Sequence, residues 1–416
     1  MPVNKQKIIN DPVHGFIKIP SDLVYDLIEH PILQRLRRIK QLGLTDFVYP
    51  GATHSRFQHT LGAVYLTVQA INNLRLKDIE ISKEEEEGAL IAILLHDIGH
   101  GPYSHALENY ILSGIDHEDI SLYLMQKLNE EYDGKLDLAI KIFKNEYAKK
   151  FLHELVSSQL DMDRMDYLKR DSFYTGVTEG IIGSDRIIKM LNVKDDKLVV
   201  EKKGIYSIEK FLIARRLMYW QVYFHKTVIA AEYLMVNLIR RARFLIQNNA
   251  DLFTPESLRF FLEKEIDKTY FENNKALVIQ NFLNLDDTDI IMAAKQWSSS
   301  TDKVLYSLAN SYMNRKLPKV LIQDKAFSKQ YINKVTAKTA LHYNISEDDA
   351  RFLITSDEIA NNAYSQNTES ILILKKDGKT LDIADASDVI NFSYLYKMVK
   401  KYFICIPEIA ANEDYS

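Results

Sequence analysis

Two histidines and an aspartate lie close together at the end of an apolar segment, where they could bind a metal. His96 and Asp97 are adjacent, and His100 follows His96 by one helical turn, which places both histidines on one face of a helix. Polar groups at a helix end would account for one histidine, but not for the spacing His-Asp-x-x-His-x4-His that continues to His105. The spacing therefore predicts a functional cluster.

Two other segments carry side chains suited to the same chemistry. Upstream, Arg56 and His59 are three residues apart and share a helix face, although such a pair by itself is more often an ordinary surface pair. Downstream, one face of a predicted helix repeats polar side chains every four residues, with an arginine beside them: Asp163, Tyr167 and Asp171, with Arg164. Simple solvation of a helix face would explain that segment equally well.

Together the three segments offer imidazole and carboxylate ligands. This ligand set suits a divalent metal such as Mn, Fe, Ni, Zn or Mg. The arginines can bind phosphate, and the histidines titrate near neutral pH. The chemistry that these groups favour is metal-assisted phosphoester hydrolysis.

The composition narrows the class of protein. The chain has 416 residues, with 53 Lys+Arg against 57 Asp+Glu, a formal net charge of −4. This balance excludes a globally basic nucleic-acid coat, so nucleic-acid binding stays open but is not indicated. The single cysteine, Cys405, excludes a disulfide framework and a zinc ribbon, and we expect a cytoplasmic protein. No apolar run reaches the ~18–20 residues of a membrane span, so no membrane partner is expected.

The elements that must position these residues are predicted to be mostly helical. Helical spacing of apolar residues dominates to about residue 300, and a smaller α+β lobe is predicted after it, which gives two domains, 1–300 and 301–416. Glu84 to Glu87 is interpreted as a solvated helix start. The local predictions are a hairpin over 7–20, a helix from Ser21 to near Pro31, a helix over 32–42, a charged hairpin over 191–203, and strands at 319–323, 370–374 and 402–406.

Longer motifs carry a resemblance to a known family. The pattern of His59, His96-Asp97 and Asp163 resembles the HD-domain phosphohydrolases. Four segments resemble more narrowly the deoxynucleotide triphosphohydrolases, both the bacterial dGTPase-like enzymes and the vertebrate SAM-and-HD-domain dNTPase: INDPVHG (9–15), QRLRRIKQLG (34–43), YPGATHSRFQHTLG (49–62) and LHDIGHGPYSH (95–105). The resemblance covers about residues 7–320. It implies a helical core that binds one or two metal ions and releases a deoxynucleoside and intact triphosphate from a dNTP.

The resemblance also implies roles for individual residues. The metal ligands would be His59, His96, Asp97 and Asp163. Arg56 would hold the α-phosphate, and the catalytic histidine would be His105, assisted by His100, His117 and Glu108, the last standing where the family often has Asp. The substrate's sugar and phosphates would contact Gln41, Leu42, Arg164, Tyr167, Asp171, Arg215, Tyr219 and Tyr223, with Tyr219 where the animal member has His.

Without that resemblance, the aromatic residues over 211–226 would be interpreted as a core-facing stripe at helical spacing. Tyr219, Tyr223 and Lys226 do share one face, so the helix could pack with one side and bind ligand with the other.

The family's oligomers bind an activating guanine nucleotide between subunits. The resemblance therefore implies a homo-oligomer, dimer or tetramer, activated by dGTP or another nucleotide. The residues concerned would be Lys7, Ile8, Asn10, Glu29, Gln34, Arg37, Arg186, Lys203, Arg315 and Lys319. The plain alternative is that residues 10–12 form a turn and that Gln34 and Arg37 lie on a solvated helix face.

Two other functions remain open from the sequence. An HD-domain nucleotidase or phosphodiesterase would use the same metal ligands but would not need Gln41 or Tyr223. A nucleotide sensor, or a protein that binds single strands, could have kept the pocket without catalysis.

Overall fold

The structure is a computed structural model that describes residues 7–361, 370–388 and 399–411, apart from the side chains of His105 and Asn361. In these ranges the α-helices are α1 (Asp22–Glu29), α2 (Pro31–Gln34), α3 (Arg56–Arg75), α4 (Lys83–Leu95), α5 (Glu108–Ile111), α6 (His117–Glu131), α7 (Asp137–Phe143), α8 (Lys150–Val156), α9 (Met162–Thr175), α10 (Ser184–Met190), α11 (Ile205–Met218), α12 (Lys226–Gln247), α13 (Glu256–Glu263), α14 (Lys268–Leu283), α15 (Asp287–Trp297), α16 (Lys303–Met313), α17 (Lys329–Tyr343), α18 (Glu347–Ala350) and α19 (Ile383–Ala386). The predicted mostly α fold is confirmed.

The strands form three small sheets in the described ranges. Their bounds are β1 (Ile8–Asp11), β2 (Gly15–Lys18), β3 (Leu191–Lys194), β4 (Lys197–Glu201), β5 (Lys319–Gln323), β6 (Thr355–Asn361), β7 (Leu372–Leu374), β8 (Thr380–Asp382) and β9 (Val399–Ile406). β1 and β2 form an antiparallel hairpin, β3-β4-β7-β8 form a second sheet, and β5-β9-β6 form a third. No helix in the described ranges combines the length and the apolar character that crossing a bilayer requires.

Helix α3 packs against both α4 and α9, and each of the three helices begins at a capped residue. Gln58 accepts a hydrogen bond from the Ser55 backbone N–H at 2.8 Å, which caps α3. Ser82 and Glu85 make the reciprocal capping contacts of α4. Asp161 accepts from the third residue of α9 at 2.6 Å. These caps fix where the three helices start relative to the shared apolar core.

One predicted helix is wrong. The chain over 32–42 forms only α2 and a 3₁₀ turn at Arg35–Arg38, after which Ile39 is extended and Lys40 forms an antiparallel β-bridge with Ser55. Tertiary pairing overrides the apolar spacing, because the Ile39 carbonyl accepts from the Arg56 N–H at 3.0 Å and the Gln41 N–H donates to the His54 carbonyl at 3.0 Å. This short ladder places residue 41 beside the start of α3.

The acidic run at the start of α4 is only partly solvated, which corrects our interpretation of 84–87. Glu85 is buried, and its carboxylate accepts from Lys149 at 2.8 Å and from the Tyr147 hydroxyl at 2.7 Å. A charged group is buried there because it is both paired and hydrogen-bonded.

The two hairpins and the strands after residue 300 lie where they are predicted. The division into 1–300 and 301–416 stays a prediction. β7 pairs in parallel with β4, with Val199 opposite Leu372, so strands from both sides of that boundary share one sheet.

Candidate active site

The structure brings the three predicted ligand segments to one point. His59 lies in the second turn of α3, His96 directly follows α4, and Asp163 lies in the first turn of α9. One ligand atom from each lies within 4.8 Å of the others. Oδ1 of Asp163 is 2.9 Å from Nε2 of His59 and 3.5 Å from Nε2 of His96. Among the described residues, these three side chains are the ones close enough to share a single metal ion.

The opposite ring nitrogen of each histidine is already committed. Nδ1 of His59 donates to Oδ2 of Asp166 at 2.8 Å, and Nδ1 of His96 donates to the Ile93 carbonyl at 2.6 Å. Within the described part of the chain, both Nε2 atoms are buried and have no well-formed hydrogen bond. A fixed tautomer with a buried, unshared Nε2 is what a divalent metal needs from histidine, so the residues fit such an ion.

Asp97 lies beside this cluster and stays a predicted ligand. Its Oδ1 is 3.3 Å from Nε2 of His96, and its Oδ2 is 3.9 Å from Nε2 of His59. The same carboxylate accepts a hydrogen bond from Nη1 of Arg56. Asp97 therefore joins the metal cluster to the predicted phosphate-binding arginine.

The ionisation of the cluster is set by its own members. Burial would lower the pKa of both histidines, but the neighbouring carboxylates raise it, to about 10 for His59 and about 9 for His96. Burial would raise the pKa of Asp163, but the two histidines hold it well below its ordinary value. A divalent cation bound there would take the place of the ring protons.

Arg56 is held at the edge of the cluster. Its Nε donates to the Ser104 hydroxyl at 2.8 Å, while Nη1 is bound to Asp97. The guanidinium is buried, and it carries a fixed positive charge next to the three ligands. Ser104 has a left-handed backbone with φ of 51°, as does Tyr103 with φ of 52°, so the loop after α4 bends sharply to bring this hydroxyl to Arg56.

The predicted assisting groups also come together. The rings of His100 and His117 stack with centroids 3.9 Å apart, and Nδ1 of His117 donates to Glu108 at 2.8 Å. Glu108 therefore contacts His117, although the resembling family often has the shorter Asp at this position. Burial, together with Arg56, holds the pKa of His100 well below its ordinary value, whereas Glu108 raises the pKa of His117 against the effect of its burial. The predicted catalytic His105 lies outside the described side chains.

The predicted phosphate-binding residues gather around Tyr167. Burial raises the pKa of Tyr167, and the charges of Arg164 and Arg215 lie close enough to oppose that rise. Arg164 Nε donates to Asp161 at 3.1 Å, and Arg215 Nη1 donates to Gln159 at 2.9 Å. Both acceptors lie just before Met162, where α9 begins, so the two guanidinium groups are held near the N-terminal end of α9.

The tyrosines of the predicted sugar site lie on a π-helical turn, Tyr219–Tyr223, that follows α11. Tyr223 contacts Tyr219 and Tyr167, with ring centroids 5.0 and 6.5 Å away. π-helical turns are frequently functional, because they widen the helix and redirect side chains. Leu42 packs half-buried against the core, and Oε1 of Gln41 is buried without a partner among the described residues.

His54, for which the sequence analysis predicts no role, connects these groups. Its Nε2 donates to Oδ1 of Asp171 at 2.8 Å, and the Tyr223 hydroxyl donates to Oδ2 of the same carboxylate at 2.7 Å. The His54 carbonyl accepts from the Gln41 N–H. Six of the eleven histidines lie between residues 54 and 117, and this clustering was the available signal. It did not indicate which residue His54 contacts.

Sequence reasoning also missed the support of the ligand His59. Asp166, three residues after Asp163 on α9, holds Nδ1 of His59 and in turn accepts from His14 and Arg170. The spacing 163–166 was a weak signal, because acidic residues on a helix are common.

The predicted activator residues occupy three places in a single chain. Lys7, Ile8, Asn10, Glu29 and Arg37 line a cavity of about 320 Å³, which we call the hairpin pocket, between the β1–β2 hairpin, α1 and the start of α3. Arg37 stacks 3.7 Å above the Phe57 ring. Its Nε donates to the amide oxygen of Gln34 at 2.7 Å.

The other predicted activator residues lie elsewhere in the chain. Arg186 donates to the Lys203 carbonyl at 3.3 Å. Arg315 donates to the Phe47 carbonyl at 2.8 Å, and Lys319 begins β5.

Comparison with known proteins agrees with this geometry. The HD domain family matches residues 56–171, and the HD associated region matches residues 182–259. The uncharacterized protein YwfO of Bacillus subtilis is 34% identical over 322 residues, which are 76% of this chain and 72% of that protein. A Dictyostelium discoideum protein named deoxynucleoside triphosphate triphosphohydrolase SAMHD1 homolog is 32% identical over 269 residues, 60% of this chain but only 52% of that protein.

A solved structure extends the similarity to nearly the whole chain. The crystal structure of a phosphohydrolase from Bacteroides thetaiotaomicron has a TM-score of 0.94 and 52% identity, covering 97% of this chain and 100% of that one. The matched HD domain begins at Arg56 and ends at Asp171, and so includes every side chain of the metal cluster. The chain belongs to the HD-domain family of phosphohydrolases.

Proposed function

We propose that this protein is a metal-dependent hydrolase that splits dNTPs into a deoxynucleoside and inorganic triphosphate. The observation that carries the proposal is the convergence of Asp163 with two tautomer-fixed histidines whose Nε2 atoms are buried, beside an arginine that donates to Asp97. A metal flanked by a fixed guanidinium suits a phosphoryl group better than a neutral substrate. The Dictyostelium relative named as a dNTP triphosphohydrolase supports the choice of substrate.

A divalent metal held by His59, His96, Asp163 and the adjacent Asp97 would supply Lewis-acid polarisation of a phosphoryl oxygen. Arg56 would bind the α-phosphate, since its charge lies beside the cluster and two of its N–H groups already hold its orientation.

The stacked histidines would handle the proton. Because their pKa values are shifted in opposite directions, His117 can donate a proton while His100 stays neutral. Glu108 fixes the orientation of His117, so its other ring nitrogen faces away from the carboxylate.

The sugar would bind between Gln41 and the tyrosines of the π-helical turn. Supporting this, Asp171 is anchored on both oxygens, by His54 and by Tyr223, which leaves its position little freedom. The unpartnered Oε1 of Gln41 offers a buried acceptor near them. A hydroxyl donor from the sugar would satisfy that acceptor.

The deciding experiment is a product-resolved assay with Mn²⁺, in which each of the four dNTPs is supplied alone and in pairs. We expect tripolyphosphate and a deoxynucleoside in equal amounts. Orthophosphate or a nucleoside monophosphate would contradict the proposal and would indicate the nucleotidase or phosphodiesterase alternative.

Asp163→Asn should abolish turnover, whereas Asp251→Asn, which changes an exposed aspartate far along the chain, should not change it.

We also propose that a nucleotide occupies the hairpin pocket as an activator. Lys7 and Arg37 offer positive charge there, and Glu29 offers an acceptor for base N–H groups. Turnover that needs a second dNTP, and that Arg37→Ala no longer shows at the same nucleotide concentrations, would support an activator site. Equal turnover with every dNTP alone would contradict it, and light scattering of the same samples tests the predicted dimer or tetramer.

A further inference from the structure

The N-terminal hairpin is joined to the metal ligand His59 by a chain of buried charged groups. Asp166 is the centre of this chain, which we call the hairpin relay: Asp11, His14, Asp166 and Arg170. Each Asp166 oxygen receives two donors. Oδ2 accepts from Nδ1 of His59 and from Nε of Arg170, both at 2.8 Å, and Oδ1 accepts from Nε2 of His14 at 2.6 Å and from Nη2 of Arg170 at 3.1 Å.

Arg170 continues the relay into the hairpin turn. Its Nη1 donates to Oδ2 of Asp11 at 2.8 Å. Oδ1 of Asp11 accepts from the backbone N–H groups of Val13 and His14 at 3.0 and 2.9 Å, which closes the turn between β1 and β2. One carboxylate thus shapes the turn and holds the arginine, and the turn delivers His14 to Asp166.

The relay is sealed from solvent. The side chains of Asp166, Arg170 and His59 are 0% exposed, that of His14 is 1% exposed, and that of Asp11 is 5% exposed. Four N–H donors surround the Asp166 side chain, and two of them come from the Arg170 guanidinium. In such surroundings a missing partner is costly, because water cannot replace it.

The neighbouring helix makes room for the relay. A Cβ atom on Gly62 of α3 would lie 1.9 Å from Oδ1 of Asp166 and 2.3 Å from Nη2 of Arg170. Glycine at this position lets the ion pair cross α3 three residues after His59. The relay therefore has a built place against the helix that carries the ligand.

We propose that the hairpin turn, through Asp11 and His14, positions the metal ligand His59. A carboxylate that holds Nδ1 of a ligating histidine sets the ring's orientation and the basicity of Nε2. Asp166 can do this only while its remaining lone pairs are satisfied, and the hairpin supplies one of the three further donors, Nε2 of His14, and pairs with the arginine that supplies the other two. Asp11 and His14 are positioning residues that lie outside the matched HD domain, which begins at residue 56.

The proposal rests on the metal site of the proposed function, and its test measures metal binding without any nucleotide. Co²⁺ is titrated into the metal-free full-length chain, and both the dissociation constant and the visible absorption spectrum are recorded. Asp11→Asn keeps an oxygen for the turn but removes the charge that faces Arg170. His14→Phe removes the donor to Asp166, and His14→Gln offers an amide donor in its place.

We expect Asp11→Asn and His14→Phe to weaken Co²⁺ binding by about tenfold and to change the spectrum, because second-sphere losses cost ~10–100-fold in affinity. His14→Gln should recover part of the loss. Lys18→Gln, an exposed change on β2 of the same hairpin, should bind as the wild type does. A purely structural role would lower the unfolding temperature of the metal-free variants without altering the spectrum of the bound ion.

Wild-type affinity and spectrum in the folded Asp11→Asn and His14→Phe variants would overturn the proposal. If Asp11→Asn does not fold, His14→Phe decides by itself, because it leaves the Asp11–Arg170 pair intact. A wild-type chain that binds no Co²⁺ overturns it as well. A chain that binds Co²⁺ but cleaves a different phosphoester contradicts only the proposed substrate.

Discussion

The carboxylate of Asp97 shows how one side chain serves two groups at this site. One oxygen faces His96 and His100 at 3.3 Å, and the other accepts from Arg56. The arginine is thus oriented by the same group that lies beside the metal cluster. Its Nε is held independently by Ser104, so two fixed N–H directions define the guanidinium plane.

Replacing Arg56 by lysine keeps the charge but removes this planar fork. Lysine cannot bind Asp97 and Ser104 in the same geometry, so we expect kcat to fall by ~100-fold, as for loss of one oriented charge donor. Metal affinity should change by less than about threefold, since no ligand is removed. Steady-state kinetics and Co²⁺ titration check both. Arg38→Lys is the matched control, because the Arg38 side chain is half exposed in its pair with Asp286.

For individual residues, spacing along the chain predicted site residues correctly where the interacting side chains are also close together in the sequence. His96-Asp97 and the helical repeat from Asp163 are examples of such local signals. His14 and Asp166 are 152 residues apart, and no periodicity links a turn residue to a helix face at that distance. His54 was unassigned for the same reason, since its partner Asp171 lies 117 residues away.

Among the elements, α15 contacts the two loops that contain Lys40 and Tyr103. Asp287, its first residue, accepts from the Lys40 N–H at 2.9 Å and from the Tyr103 N–H at 2.8 Å. These loops carry Gln41 and Ser104. Burial raises the pKa of Asp287 to about 6 from an ordinary 3.8, more than those two N–H groups lower it.

This shift predicts the pH dependence of stability. An unfolded chain titrates Asp287 near 3.8, so between about pH 4 and 6 the folded chain binds the extra proton, and its stability falls as pH rises. Asp287→Asn removes this contribution. As the pH rises from about 4 to 6, the wild type should therefore lose roughly 3 kcal/mol of unfolding free energy relative to the variant. Urea unfolding at several pH values tests this, with Asp251→Asn expected to give no such trend.

The elements differed in how well the sequence predicted them. Capped helices with apolar faces, such as α3 and α4, and hairpins with a clear turn were found because their signals are local. The helix over 32–42 was wrong because residues 39–41 pair with 54–56, and this pairing needs the fold to be present. Buried Arg35, which donates to the carbonyls of His100 and Leu285, is held in the same way by distant partners.

In the whole molecule, the residues after 300 complete surfaces of the helical part. β7 extends the sheet begun by β3 and β4. Ile229 and Ala230 of α12 form one buried cluster with Val320 and Phe403. The composition signalled a change of texture near 300, but it could not show that the later strands pair back onto the earlier hairpin.

Removing the residues after 300 should therefore destabilise what remains. β4 would expose an unpaired edge, and α12 would lose its apolar cover, so we expect aggregation or a markedly lower unfolding temperature. A chain ending at residue 411 serves as the control. A soluble 1–300 fragment with the unfolding temperature of the full chain would contradict this expectation and would favour an independent first domain.

Asp11 has a further consequence, because it lines the hairpin pocket and also begins the relay to His59. A pocket ligand that moves this carboxylate changes the free energy of metal binding, and equilibrium linkage makes the effect reciprocal. Whatever factor the ligand adds to metal affinity, the metal adds to ligand affinity. The free metal concentration would then help to set the ligand concentration at which the pocket fills, so occupancy of the two sites would rise and fall together.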